Sequence, residues 1–228
     1  VVSLVGCGRY EIAGRVGSPE IEAGYMYLTD MWNSRAVIDS VEVKDGFYKF
    51  KSNSYEPTFA QLMHNSGRPI ARLFVEPGKI RVVEEYDKGV VRVVGTPANE
   101  AYDAMMTRNK ELSDRYRNAV KANDQTEAEK IDAEYEAMLQ ECFDNNLDNI
   151  FGIFMLRQLA YSKTAAEIIK ALELLSKDMQ ANKMAVKIKT NSEKKMKTEP
   201  QTEGSDYVPH YINIEQPTPN GEVVSLKS

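Results

Sequence analysis

The stretch Ala36–Ser52, AVIDSVEVKDGFYKFKS, decides the fold of the first part of the chain. Apolar and polar side chains alternate with a period of two on each side of Asp45-Gly46, over residues 37–43 and 47–50. An Asp-Gly pair between two alternating segments is the strongest short-range sequence signal for a β-hairpin. The stretch therefore predicts two strands joined by a tight turn.

The same alternating texture extends outward from this hairpin, from Arg9 to Gly95. It predicts eight short strands, separated by segments rich in glycine, proline, asparagine and aspartate. The predicted strands are Arg9–Val16, Gly24–Asp30, Ala36–Val43, Gly46–Ser52, Thr58–Met63, Ile70–Val75, Lys79–Glu84 and Val90–Val94. Short strands at even spacing indicate an antiparallel sandwich or barrel. The helix-length intervals of a βαβ unit are missing, which argues against a parallel sheet.

Helical patterns follow the last strand. Thr96 is a good N-cap residue, and Pro97 suits the first helical position. Apolar residues at helical spacing predict two long helices with a break at 123–124, and residues 149–160, apolar nearly all round, predict a buried helix. Residues 164–167, TAAE, form a capping box that opens a further helix. We therefore expect an α+β chain: an N-terminal antiparallel β-sandwich or barrel, then an α-helical region and a short extended tail.

Residues 181–203 are rich in lysine. Because polar residues are interspersed among the lysines, the pattern favours a solvated, fraying helix that leads into a linker. An anionic surface partner is the alternative interpretation of this segment. Further on, residues 211–214 and 222–226 predict short extended pieces.

Composition and side-chain chemistry argue against several functions. The net charge of −5 and the pI near 5.3 are not those of a nucleic-acid-binding surface, and no apolar run is long enough to span a bilayer. The cysteines Cys7 and Cys142 form no CxxC and no metal-ligand spacing. His64 and His210 lack the carboxylate or cysteine pattern of a metal site or triad. We therefore predict no catalytic residue, cofactor or metal site in this chain, and an inert thiol at Cys142.

The residues Leu4-Val5-Gly6-Cys7 resemble the lipobox that ends the signal peptide of a bacterial lipoprotein. The resemblance implies that Cys7 carries lipid, that the natural chain begins further upstream, and that the protein lies in the cell envelope as a periplasmic or outer-membrane lipoprotein. Two or three acyl chains would anchor such a protein firmly in the membrane. An ordinary first strand with an incidental cysteine is the alternative.

An ordered set of motifs runs from the first strand to the first helix. The motifs are YEIAGRV at 10–16, IDSVEV at 38–43 with DGFYKF at 45–50, FVEPG at 74–78 and VGTPAN at 94–99. Their order resembles the accessory domain of unknown function that precedes a thioredoxin-like, AhpC/TSA-type domain in lipoproteins of Gram-negative bacteria. In the tail, HYINI at 210–214 and TPNGEVVSL at 218–226 resemble the entry strand of that thioredoxin-like domain.

This resemblance implies four regions: 1–8, a lipoprotein signal remnant and anchor; 9–95, an all-β accessory domain; 96–199, a helical region; and 200–228, a linker with the entry strand. It places a thioredoxin-like domain, with a Trp-Cys-x-x-Cys active site, beyond Ser228. Residues 1–228 would then be non-catalytic, and the parent protein would be a thiol–disulfide oxidoreductase serving cell redox homeostasis. We expect a scaffold that positions the redox domain or dimerises it; the homodimer, like the substrate, stays an open question.

A second hypothesis is a stand-alone surface lipoprotein that binds glycan or peptide. The stacking platform for such a ligand would come from the aromatic residues Tyr25, Tyr27, Trp32, Phe47, Tyr48 and Tyr55. A sandwich core needs aromatic side chains as well. Exposure of these side chains in one cluster would favour the binding module, and their burial would favour the scaffold.

Overall fold

The computed structural model of the protein describes residues 9–16, 23–52, 56–85, 88–198, 216–217 and 223–224. The described strands are β1 (Tyr10–Arg15), β2 (Gly24–Asp30), β3 (Val37–Val43), β4 (Phe47–Ser52), β5 (Thr58–His64), β6 (Pro69–Val75), β7 (Gly78–Glu85), β8 (Val90–Val94) and a short antiparallel pair, β9 (Gln216–Pro217) and β10 (Val223–Val224). The described helices are α1 (Pro97–Lys121), α2 (Gln125–Asp144), α3 (Ile150–Leu159), α4 (Ala165–Leu174), α5 (Lys177–Ala181) and α6 (Lys183–Thr198). The predicted α+β order is confirmed, and each of the eight predicted strands ends within one residue of the observed bounds.

Strands β1–β8 form two four-stranded sheets, in the orders β4-β1-β7-β8 and β3-β2-β5-β6. The predicted turn is present: Asp45 and Gly46 have φ of 51° and 75°, and Lys44 and Phe47 exchange two backbone hydrogen bonds of 2.9 Å. The hairpin prediction is wrong beyond this turn, because β3 pairs with β2 while β4 pairs with β1. The turn therefore leads the chain from one sheet to the other.

One pair of neighbouring strands is parallel. β1 and β7 run in the same direction, with Ile12 opposite Ile80, whereas the other pairs within these two sheets are antiparallel. The antiparallel prediction fails at this pair because a parallel crossover needs only a long connection, not a helix. Here strands β2 to β6 supply that connection.

The two sheets enclose one apolar core. Along β4, Tyr48 and Phe50 are buried while Phe47, Lys49 and Lys51 are exposed, so alternate side chains face the core. The core draws on all eight strands and comprises Tyr10, Ile12, Val16, Met26, Leu28, Val43, Tyr48, Phe50, Ala60, Leu62, Ile70, Leu73, Val75, Ile80, Val82 and Val93. Removing this apolar surface from water is the main force that holds the two layers together. The predicted sandwich is confirmed.

The residues from Glu100 onward to the end of α6 belong to a second compact unit. Within it, α1 and α2 form an antiparallel pair. Arg115 of α1 bonds Glu127 and Glu134 of α2 at 2.7 and 2.5 Å, and Arg108 bonds Glu141 at 2.7 Å. Residues later in α1 therefore meet residues earlier in α2, as in a helical hairpin.

The later helices combine predicted and unpredicted features. α3 is the helix predicted to be buried, and most of its side chains have little exposure. The predicted capping box is confirmed at α4: the Glu167 N–H donates to the Thr164 hydroxyl, and the Thr164 N–H donates to the Glu167 carboxylate. The expectation of a solvated helix holds for most side chains of α6, which are exposed, but the helix does not lie free: it packs against α4 and buries Ala185, Ile188 and Ser192. These three residues share one face of the helix, and the lysines lie outside that face and are exposed.

Candidate functional site

The motifs FVEPG and VGTPAN come together at strand β6. Asn99, in the first turn of α1, has a fully buried side chain. Its Oδ1 accepts a hydrogen bond from the Phe74 N–H, and its Nδ2 donates to the Phe74 carbonyl and to Thr96 Oγ1, each at 2.8 Å. The Ala98 N–H donates to Glu76 Oε1 at 2.9 Å. We call these five residues, Phe74, Glu76, Thr96, Ala98 and Asn99, the β6–α1 joint.

The joint uses polar side chains for structure. The Asn99 carboxamide has the donor and acceptor of a peptide group, so it pairs with Phe74 as a residue of a neighbouring strand would. Because β6 is an edge strand, this pairing covers part of an edge that would otherwise be open to another chain. Thr96 was predicted as the N-cap, and its hydroxyl accepts a hydrogen bond from Asn99 Nδ2. Glu76 instead accepts from the Ala98 N–H, one of the first backbone N–H groups of a helix, which have no partner within the helix. Sequence reasoning missed the roles of Glu76 and Asn99, although both lie in the motifs FVEPG and VGTPAN.

His64, at the end of β5, is buried, and both of its ring nitrogens are engaged. Nε2 lies 3.0 Å from the Ala23 carbonyl oxygen, to which it can only donate, and Nδ1 accepts from the Ser66 N–H at 3.2 Å. The Ser66 hydroxyl also lies 2.9 Å from Nδ1. This network assigns the neutral tautomer with its proton on Nε2. The ring therefore serves the turn between β5 and β6.

Asp30 shapes the loop that follows β2. Its Oδ1 accepts hydrogen bonds from the Trp32 N–H at 2.8 Å, the Asn33 N–H at 3.2 Å and Thr58 Oγ1 at 3.1 Å. This buried carboxylate thus holds its own loop and the start of β5. In the part of the chain that the structure describes, two buried polar side-chain atoms have no hydrogen-bond partner, Trp32 Nε1 and Tyr48 Oη.

Cys142 is a free, partly buried thiol on α2. Burial raises its pKa, and the nearby Arg108 cation opposes this by a smaller amount. Arg108 is itself engaged with the Glu141 carboxylate at 2.7 Å. Because the thiolate is the reactive form of cysteine, a raised pKa makes Cys142 a poor nucleophile at neutral pH.

The aromatic residues considered as a stacking platform lie in different environments. Tyr48 belongs to the core, while Trp32 and Tyr27 are half-buried. Tyr25 is 49% exposed on the outer face of sheet β3-β2-β5-β6, and Phe47 is 57% exposed on the outer face of the other sheet. Among the described members of this set, the exposed rings therefore lie on opposite faces of the sandwich.

Some predicted features fall outside the described residues. They are Cys7, Tyr55, His210 and the extended segment 211–214. Within the described ranges no group of His, Cys, Asp and Glu side chains could hold a metal ion, and no described helix has both the length and the apolar character for crossing a membrane. A surface pocket of about 330 Å³ beside α2 includes Ser162 in its lining, and the Ser162 hydroxyl donates to the Leu159 carbonyl.

These observations define a two-sheet β-sandwich whose chain continues through the β6–α1 joint into helices. Residues 10–102 match the family model of a domain of unknown function, DUF4369. The matched range begins with β1, ends in α1 and includes both motifs of the joint. No curated protein matches the chain, and no solved structure matches it either.

Proposed function

We propose that this chain is the non-catalytic accessory region of a membrane-anchored, thioredoxin-like thiol–disulfide oxidoreductase of the Gram-negative cell envelope. In this role it is a scaffold that positions the redox domain or dimerises it. Three resemblances support the proposal: the motif order over residues 10–99, the lipobox ending at Cys7, and the entry-strand pattern of residues 210–226. The match of residues 10–102 to DUF4369 supports the accessory domain itself.

The observation that carries the proposal is the use of buried polar side chains in the sandwich. Each of the following bonds to the backbone or to another member of the set: Thr29, Asp30, Thr58, His64, Glu76, Thr96 and Asn99. A general acid or base needs a polar group that faces the reactant. These side chains instead maintain loops, edges and the helix start, which is the chemistry of a scaffold.

The scaffold acts by its position in the chain. Cys7 precedes the sandwich, and the entry-strand pattern follows the helices. Both compact units therefore stand, in chain order, between the lipid and the redox thiols. This order keeps the thiols in the envelope compartment while the lipid holds the protein to its membrane.

The domain order is tested by reading the gene beyond the Ser228 codon. We expect an open frame that encodes a thioredoxin-like domain with a Trp-Cys-x-x-Cys motif. A frame that ends without a cysteine pair refutes the proposal, because no redox domain would then exist for the scaffold to carry.

The anchor is tested by metabolic labelling with a palmitate analogue in the natural host. We expect label on the wild-type protein and none on Cys7→Ser. Cys142→Ser is the matched control, since it also removes a thiol, and it should keep the label. Equal labelling of the wild type and Cys7→Ser would show that Cys7 is not the lipidated residue.

A further inference from the structure

Six cations share the outer face of sheet β4-β1-β7-β8. Buried and exposed residues alternate along its strands, so the exposed side chains lie on the face opposite the core. The exposed cations are Arg15 on β1, Lys49 and Lys51 on β4, Lys79 and Arg81 on β7, and Arg92 on β8. We call these six residues the basic sheet face.

Strand register makes the basic sheet face continuous. Ala13 of β1 lies directly between Lys49 of β4 and Arg81 of β7. Neighbouring strands are about 4.8 Å apart, so β4 and β7, which lie on either side of β1, are about 10 Å apart. Six cations thus form one patch rather than scattered charges.

Among the described residues of these strands, the carboxylates of Glu11 and Glu85 share this face with the six cations. Glu11 lies on the same face and bonds Lys49 at 2.8 Å and Lys51 at 3.7 Å. The hydrogen bond from Lys49 is the largest cause that lowers the pKa of Glu11. At the end of β7, Glu85 is engaged by Lys88 at 2.6 Å. Six cations less the carboxylates of Glu11 and Glu85 give the described residues of this face a net charge of about +4 by simple Coulomb counting, although the whole chain carries −5.

Exposed apolar side chains lie among these cations. Phe47 is 57% exposed and Val83 is 43% exposed, and the Arg15 guanidinium lies 5.1 Å from the centroid of the Phe47 ring. Surfaces that lie on lipid combine cations, which attract anionic headgroups, with apolar side chains that enter the acyl boundary. A nucleic acid would attract the same cations, but an aliphatic side chain such as Val83 gains little against a phosphate backbone.

We propose that the basic sheet face lies on the surface of a bilayer that contains anionic lipid. The argument for its orientation rests on the proposed function, in which Cys7 carries lipid. Cys7 lies three residues before Tyr10, where β1 begins, and three residues reach at most about 11 Å. Because β1 is an inner strand of this sheet, the lipid would hold the face beside the headgroups at high effective concentration.

Vesicle flotation tests the face without the lipid. The probe is the full chain carrying Cys7→Ser, mixed with vesicles of phosphatidylcholine alone or of equal parts phosphatidylcholine and phosphatidylglycerol. We expect binding to the anionic vesicles that falls steeply as salt rises, since salt screens exposed charges, and no binding to the neutral vesicles. Equal binding to both vesicles, or binding to neither, overturns the proposal.

Paired substitutions test which surface binds. Lys79→Ala with Arg81→Ala removes two charges from the face, and because each near-surface cation contributes a factor of roughly five to partitioning, binding should fall about 25-fold. The matched control, Lys187→Ala with Lys189→Ala, removes the same charge from α6 and should change binding less than about two-fold. If the α6 pair has the larger effect, α6 is the membrane-binding element and the proposal is wrong.

Two further measurements distinguish this proposal from a nucleic-acid-binding surface and from the separate proposal of a lipid anchor. If a short DNA duplex at equal phosphate concentration displaces the chain from anionic vesicles, the face is a nucleic-acid surface and the membrane proposal is overturned. Palmitate labelling is independent of flotation. If Cys7 is labelled but the chain does not bind vesicles, the proposed membrane contact of the basic sheet face is wrong and the lipid anchor stands. If the chain binds vesicles but Cys7 is not labelled, the lipid anchor is wrong and the membrane contact stands.

Discussion

Replacing Asn99 by alanine tests the β6–α1 joint. The carboxamide is fully buried and makes hydrogen bonds to the Phe74 N–H, the Phe74 carbonyl and Thr96 Oγ1, each 2.8 Å long. A hydrogen bond contributes about 1 kcal/mol net, and more where a buried backbone group loses it. Losing all of these bonds, with a small gain from the helix propensity of alanine, should cost about 2–5 kcal/mol. That is a large part of the roughly 5–15 kcal/mol that stabilises a domain.

The assay can follow the sandwich separately from the helices. Trp32 is the single tryptophan of the chain and lies in the loop after β2, so its fluorescence reports unfolding of the sandwich. Far-UV circular dichroism is dominated by the helical unit. We expect urea to unfold Asn99→Ala at a lower concentration by fluorescence, with an unchanged m-value.

Two variants calibrate the result. Thr96→Val keeps the shape and removes one of the bonds to Asn99, so about 1 kcal/mol should be lost. Asn118→Ala removes an exposed amide from α1 and should change the free energy of unfolding by less than about 0.5 kcal/mol. The reasoning is refuted if Asn99→Ala costs no more than Asn118→Ala by Trp32 fluorescence.

Three further outcomes are expected. Tyr48→Phe removes a buried hydroxyl that has no hydrogen-bond partner and should stabilise the sandwich by about 1–2 kcal/mol in urea titrations followed by Trp32 fluorescence; a loss of stability would contradict this. Gly14→Ala should cost about 1–3 kcal/mol, because a Cβ there would overlap the Tyr48 phenol, and adding Tyr48→Phe should recover part of the loss; no recovery would argue against this contact. Thr164→Ala should cost the helical unit about 1 kcal/mol by circular dichroism. The Thr164 backbone hydrogen bond is the largest cause that lowers the pKa of Glu167, and the bond from the Thr164 hydroxyl is the next; the variant loses only the hydroxyl. The stability that the hydroxyl–carboxylate bond contributes is present above the unfolded-state pKa of Glu167 and is lost as pH falls through the folded-state pKa, whereas the N-cap bond from the Glu167 N–H does not titrate. The gap between the wild type and the variant should therefore narrow in strong acid without closing, and a gap of unchanged size would contradict this.

The turn at Asp45-Gly46 illustrates what a sequence can predict. Aspartate and glycine tolerate positive φ at successive positions, so local chemistry predicts the turn. The alternation around it also predicts which side chains face the core. It does not say which strand lies alongside, because any strand with a matching apolar face can pair there. β3 and β4 therefore separate after the turn and join different sheets.

The parallel pair β1–β7 and the β6–α1 joint could not be predicted for the same reason. Ile12 and Ile80 lie opposite each other in neighbouring strands, although β2 to β6 all lie between them in sequence. Asn99 and Phe74 are separated by 25 residues. A polar residue in the first turn of a helix suggests a cap to its own helix, and nothing local indicates that its amide completes the edge of a distant strand.

The buried and the exposed polar residues of this chain have different roles. Those in the joint and the loops maintain the fold, so the motifs that identify the domain carry little information about its partner. The chain has 29 basic and 34 acidic residues, so an exposed face drawn at random would carry slightly more acid than base. The basic sheet face departs strongly from that expectation, and the core does not require it, because outward positions contribute little to packing. Since like charges on one face repel each other, this face is less favourable alone than against an anionic surface, and a partner for the sandwich is best sought there.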